Sequence, residues 1–176
     1  KRNLALAYYN KLQEYEKAKS MLEEAFLLNT TDARVLMELD QLYKLQQVDP
    51  STRLHFLEMH LPLVEDRDDL FLERITLLNL LGRHEEAYTL LNIRQFHPWE
   101  GGEGKVTGQF LVAGQELAKA ALLNHDALKA LNYLHAQKRY PNNLGEGKLP
   151  NTAENDRYYL MALAYERLED DEKVYQ

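Results

Sequence analysis

The sequence predicts an all-α fold built as a row of stacked helix hairpins. Three observations predict it. Apolar residues recur at helical spacing, as Leu4, Tyr8 and Leu12 do at i, i+4, i+8. The helical stretches come in pairs joined by short turns. The pairs return with a period near that of a helix–turn–helix solenoid, about 34 residues for a tetratricopeptide repeat. With 45% apolar and 28% charged residues, the chain has the composition of a folded domain.

The first hairpin runs from Leu4, Tyr8 and Leu12 through the turn Gln13-Glu14-Tyr15 to Ala18, Leu22, Ala25 and Phe26. A tetratricopeptide unit wants an aromatic late in its first helix and a small residue where the helices cross. Tyr9 and Ala18 fit those places. The second hairpin opens at Asp32, a good N-cap for a helix over 33–45. Asp49-Pro50-Ser51 caps the next helix, with proline in its first turn. Arg53 stands where a small residue is usual, so this unit is degenerate. The third carries Phe71, Ile75 and Leu78, a glycine stop at Gly82, then Ala87, Leu90 and Leu91. The fourth carries Phe110, Ala113, Gly114 and Leu117, a turn at Asn124-His125-Asp126, then Ala127, Leu131 and Leu134. The fifth begins near Glu154 with Tyr158, Met161, Ala162 and Tyr165, and is incomplete. The acidic run 169–172 reads as the start of a further helix. The expected architecture is a tetratricopeptide-like right-handed solenoid of about five hairpins, forming a single domain over residues 1–176. The first helix has neither initiator Met nor cap, so the chain is expected to be a piece of a longer protein.

Equivalent positions are Tyr9, Tyr43, Leu78, Leu117 and Tyr165, spaced by 34, 35, 39 and 48 residues. The last two intervals overrun the period. Both overruns contain Gly-Glu-Gly-Lys, at 102–105 within HPWEGGEGKVTG and at 145–148 within NNLGEGKLPN. Each lies between the second helix of one hairpin and the first of the next. In a solenoid such connections emerge on one edge, so the two loops are expected to sit side by side.

The loops hold His97, Trp99, Glu100, Glu103, Lys105, Asn143, Glu146, Lys148 and Asn155. An aromatic face with carboxylates, ammonium groups and amides suits hydroxyl recognition or docking of a protein domain. The competing reading is internal. Glu103 would pair with Lys148 and Lys105 with Glu146, while Trp99 plugs the join. A phosphate-binding loop is excluded, because that motif needs a glycine separated by four residues from its Gly-Lys pair and Ser or Thr after it. Trp99, Asn142, Val106 and Leu149 occupy those positions. Glu103 and Glu146 could face one another as a glycosidase pair does, but nothing in the sequence marks either as an acid catalyst. No catalytic residue is assigned.

A second, weaker surface is the concave groove, which by register presents Asn10, Arg34, Lys44, Asn79, Gln115 and Lys119. The same register also presents Asn3, Lys11 and Arg167. It is amide-rich and mildly basic, as an acidic peptide would require. The Lys and Asn ladder of peptide-clamping tetratricopeptide domains does not line up on it.

Several classes are disfavoured. The net charge of −7 offers no concentrated basic face for nucleic acid. No apolar run approaches the ~18 residues of a membrane span. With no cysteine, disulfide and thiol chemistry are absent. The six histidines show no metal-ligand spacing, and neither metal nor cofactor is expected.

Residues 96–110 and 143–159 together resemble the C-terminal repeat region of a bacterial family. In that family a tetratricopeptide array follows a β-sandwich similar to aldose epimerases and sugar-binding glycosidase domains. The resemblance is close over those two segments and loose elsewhere. Pro150-Asn151-Thr152 departs from it. It implies a carbohydrate-related, cytoplasmic bacterial protein in which Trp99, Glu103, Lys105, Glu146 and Lys148 face the sandwich or its sugar. The expected function is a binding module docking that companion domain through the paired loops. The alternative is an adaptor holding a peptide in the concave groove. This fragment alone is not expected to be an enzyme.

Overall fold

The computed structural model describes residues 1–168. Those residues form an all-α, tetratricopeptide-like succession of helix hairpins, and no strand occurs among them. The acidic run 169–172 lies outside the described residues. The chain divides into two compact units, Lys1–Leu77 and a second beginning at Leu78.

The first unit starts with α1 (Arg2–Ala7), which continues as a π-helical turn over Tyr8–Leu12. Gln13 ends it in the left-handed region at φ 53°. Helix α2 (Tyr15–Leu28) returns against α1, and Ala18 is fully buried where a small residue lets the two cross. The buried side of α1 is not the expected stripe. Leu4 and Leu12 are exposed, Tyr8 is half-buried, and Ala5 enters the core with Leu22 and Phe26. The π-turn adds a residue to the winding and shifts the phase of everything after it. A fixed 3.6-residue period cannot register that shift.

Helix α3 (Ala33–Leu45) is set by Asp32, whose carboxylate accepts the Arg34 and Val35 amides at 3.0 and 3.1 Å. Helix α4 (Pro50–Glu58) is set by Asp49 in the same way, through Ser51 and Thr52 at 2.9 and 3.1 Å. Helix α4 is followed by a short further helix. Pro62 has no amide hydrogen to continue the ladder, and the chain restarts as α5 (Leu61–Asp66) before α6 (Asp68–Leu80). Leu36, Leu57, Val64 and Ile75 are fully buried. Each such side chain contributes about 1.5–3 kcal/mol relative to exposure.

Arg53 is a buried cation rather than a misplaced polar residue. It is 4% exposed, and Nε and Nη2 donate to the fully buried Asp40 at 3.0 and 2.7 Å. Nη2 also reaches Glu73 at 2.7 Å, and Lys44 bonds the same Glu73 at 2.9 Å. The fork of a guanidinium can bind two carboxylates at once. Its length lets it fill the site an alanine would otherwise occupy.

In the second unit α6 ends at Gly82, φ +75°, and α7 (His84–Ile93), α8 (Lys105–Leu123), α9 (Ala127–Arg139) and α10 (Asn155–Arg167) follow. Asp126 caps α9 by accepting the Lys129 amide at 2.9 Å. Phe110 of α8 stacks on Tyr88 of α7 at 5.5 Å, and Tyr133 of α9 meets Tyr88 edge-on at 5.3 Å. Gly114 lets Gln137 of α9 press against α8. A Cβ at Gly114 would stand 2.4 Å from the Gln137 amide nitrogen, which donates to the Leu111 carbonyl. Ala118, Leu134, Leu160 and Ala164 continue this core into α10. Tyr158, read as a core residue, is instead exposed, while Met161 is buried.

Candidate docking site at the paired loops

Both long loops belong to the second unit, and they meet. The segment 94–104 joins α7 to α8, and 140–154 joins α9 to α10, with a 3-10 turn at Asn142–Leu144. The second loop binds both ends of the first. Asn143 donates its side-chain amide to the carbonyls of Leu91 and Arg94 at 2.7 and 2.9 Å, closing the C-terminus of α7. Its own carbonyl accepts the Phe96 amide at 2.7 Å. Glu146 closes the N-terminus of α8, accepting the Gly104 amide at 2.8 Å and both the amide and hydroxyl of Thr107 at 3.1 Å. Helix α8 has no cap from its own sequence: Gly104 occupies that position. A carboxylate there satisfies orphan donors and faces the positive end of the helix dipole.

Packing fixes the same joint. Phe96 and Leu144 are each 1% exposed. Gly145, at φ +74°, passes over the Phe96 carbonyl, where a Cβ would lie 2.6 Å from its oxygen. Trp99 lies against Gly102, where a Cβ would come within 2.4 Å of the indole. Leu149 covers Gly104.

The two Gly-Glu-Gly-Lys copies are therefore not equivalent. Their centres are neighbours, but their side chains do different things. Glu103 turns to its own loop and accepts the Gly101 amide at 3.3 Å, whereas Glu146 caps a helix. Lys148 pairs with Glu154, which also holds Arg157 at 2.6 Å. The Lys148 bond outweighs desolvation there and, with Arg157, holds the Glu154 carboxyl below its ordinary range. The expected cross-pairs Glu103–Lys148 and Lys105–Glu146 are not made. Lys105 is exposed at the first position of α8, and its ammonium makes no ion pair among the described residues. His97, Glu100, Glu103 and Asn155 are also exposed, and Trp99 is half-buried.

The joint leaves a cleft of about 50 Å³ between His97, Trp99, Glu103, Gly145 and Glu146. That holds a water or two. Pockets that engulf small organic ligands run to about 300 Å³ and more, so the cleft does not enclose a sugar ring. No cluster of three or more His, Asp or Glu side chains poised for a metal occurs among the described residues. No helix among them is long and apolar enough to cross a membrane.

The residues read onto the concave groove divide between the units. Asn10, Arg34 and Lys44 are exposed in the first, Arg34 beside Glu38 at 3.4 Å and Lys44 on Glu73. In the second, Asn79 is not a surface residue. It is 7% exposed, donates to the Gln109 side chain at 2.9 Å and meets His84 Nδ1 at 3.0 Å. Lys119 is held by Glu116 at 2.7 Å, and Gln115 is half-buried. Arg167 donates to the Leu122 carbonyl.

Thr107, Phe96 and Leu144 complete the joint, and sequence reasoning singled out none of them. The available signal was Thr107, two residues past the first Gly-Glu-Gly-Lys, where a helix start leaves amides to be met.

Fold and site define a helical-repeat chain whose second unit carries a joined pair of loops at a helix N-terminus. No protein family model matches it. Among solved structures it is similar to PilW, a type IV pilus biogenesis factor, with 14% identity and a TM-score of 0.40 over 99% of this chain and 87% of that one.

Proposed function

We propose that this chain is a protein-interaction module and that the joined loops are its docking face for a companion domain. By the resemblance of residues 96–110 and 143–159, that companion is the sugar-handling β-sandwich of a bacterial cytoplasmic protein. The supporting observation is Lys105. A cation at the first position of a helix opposes the dipole, and Lys105 finds no carboxylate among the described residues. Residues that break a local rule without compensation are expected at functional or strained sites. Around it stand Trp99, Glu100, Glu103, His97 and Lys148 on a rigid base, because Glu146 and Asn143 are committed to holding the loops together. The small cleft favours a protein surface over direct enclosure of a sugar, so carbohydrate would be held by the companion.

Calorimetric titration against the separately expressed sandwich domain tests this. Lys105→Glu is the decisive variant, read beside thermal denaturation that shows the Glu146 cap of α8 is kept. The variant should weaken binding about tenfold or more, as removal of a desolvated charge contact does. Unchanged affinity for Lys105→Glu and Trp99→Ala together contradicts the reading.

A further inference from the structure

The cleft at the joined loops is small, and its carboxylates face no basic side chain. Glu103 and Glu146 both line it, and no lysine or arginine does. Lys148 is drawn away to Glu154, and Lys105 lies outside the lining. The two carboxylates are not equally committed. Glu146 accepts the Gly104 amide and both the amide and hydroxyl of Thr107, three of the roughly four bonds a carboxylate can accept. The positive end of α8 also answers its charge. Glu103 accepts the Gly101 amide at 3.3 Å, and no cation answers its charge among the described residues.

The other walls suit a cation. Val106 and Leu144, both buried, give the cleft an apolar side. Charge of one sign beside low-dielectric walls concentrates the field in a cleft. Trp99 forms another side. A Cβ at Gly102 would come within 2.4 Å of the indole, so that contact holds the ring in place. The face of an indole attracts a cation more strongly than that of any other aromatic side chain.

We infer that this cleft is the socket for one lysine side chain of the docked protein. The inference rests on the joined loops being a docking face, and it names what that face grips. Size selects among the cations. A space of about 50 Å³ takes a compact ammonium and its last methylene, whereas the planar fork of a guanidinium is broader. A free metal ion is a poorer occupant, because no cluster of three or more ligating side chains is poised for one among the described residues. A lysine brings a stem that lies along apolar surface while its charged end reaches a polar partner. Val106 and Leu144 would carry the stem, with the ammonium between Trp99 and Glu103. The docking face then has two opposite demands, a carboxylate for Lys105 and a cation for the cleft. Such a pair fixes the orientation of a partner as well as its affinity.

Two measurements test the socket. The first uses this chain alone, in an NMR titration with Nα-acetyl-lysine methylamide. The norleucine analogue, which lacks the charge, is the control. The indole N–H of Trp99, the chain's one tryptophan, should shift with the lysine compound and not with the control, and the effect should shrink as salt rises. Glu103→Gln keeps an oxygen for the Gly101 amide and drops the charge. It should weaken the lysine titration about threefold or more. The second measurement replaces the lysines of the proposed companion β-sandwich by methionine, one at a time, in calorimetric titrations. One replacement should weaken binding about threefold or more and should cost nothing further when this chain carries Glu103→Gln. Equal shifts from both small compounds overturn the socket. So does companion binding that depends on Lys105 while no lysine replacement couples to Glu103, a result that leaves the docking face standing. A companion that fails to bind while the lysine compound still shifts Trp99 defeats the docking partner and leaves the socket.

Discussion

Glu146 accepts the backbone amide of Gly104 at 2.8 Å across 42 residues of sequence. One side chain of the second loop thereby serves as the missing N-cap of a helix that begins in the first. The same loop closes the preceding helix through Asn143. The loops are thus a mutual clasp, and the outward residues beside it are positioned rather than loose.

Removing that cap has a defined cost. Glu146→Ala leaves the Gly104 and Thr107 amides unmet and should destabilise the second unit by about 0.5–2 kcal/mol, the range for lost N-caps. Urea denaturation measures it. Amide exchange at Gly104 and Thr107 should accelerate in the variant more than exchange at the centre of α8.

The two glycines of the second copy should respond differently. Gly145→Ala forces a left-handed side chain toward the Phe96 carbonyl, 2.6 Å away, and should cost about 1–3 kcal/mol of strain. A Cβ at Gly147 meets nothing within 4 Å, and no left-handed backbone constrains it. Gly147→Ala should be neutral within about 0.5 kcal/mol. Equal thermal shifts for both would show that the loop does not pass over Phe96 as described.

The Arg53 cluster should be unforgiving of partial removal. Arg53→Ala strands the buried Asp40 carboxylate and should cost about 3–5 kcal/mol, whereas Asp40→Asn with Arg53→Met removes both charges and should recover much of that loss. Chemical denaturation of the single and double variants separates the two cases.

Acid sensitivity follows from Glu73. Burial pushes its carboxyl upward, but the bonds from Arg53 and Lys44 win and hold it below its ordinary value of 4.5. The native state therefore binds fewer protons than the unfolded chain. Glu73 contributes stability that is complete above about pH 4.5 and is lost as pH falls through its folded value. Asp40 acts with the opposite sign, since burial raises it above its ordinary range despite Arg53. Denaturation midpoints measured downward from pH 6 should fall less steeply in Glu73→Gln than in the parent. Parallel slopes would contradict the assignment.

Much of the fold could be read from the sequence, because its signals are local. Asp32 and Asp49 mark helix starts through their own next three residues, and Gly82 marks a stop through its own backbone. Overruns of the repeat period located the two loops, and solenoid geometry placed them on one edge. What escaped depends on partners distant in sequence or on interrupted winding. The π-turn over Tyr8–Leu12 takes Leu12 off the expected stripe, and ahead of it Ala5 rather than Leu4 is buried. Arg53 could not be seen as buried without Asp40 and Glu73 around it. Glu103 and Glu146 carry identical neighbours, and only the position of α8 decides that one caps and the other faces water. Asn79 seemed a groove residue until its contacts with Gln109 and His84 accounted for it.

Hydrogen–deuterium exchange on addition of the proposed companion β-sandwich tests the proposed docking face most directly. Protection should appear together over 97–108 and 143–150 and should vanish for Lys105→Glu, with residues 1–77 unchanged. Protection confined to the first unit, or none at either loop while the two proteins remain bound, would contradict the account.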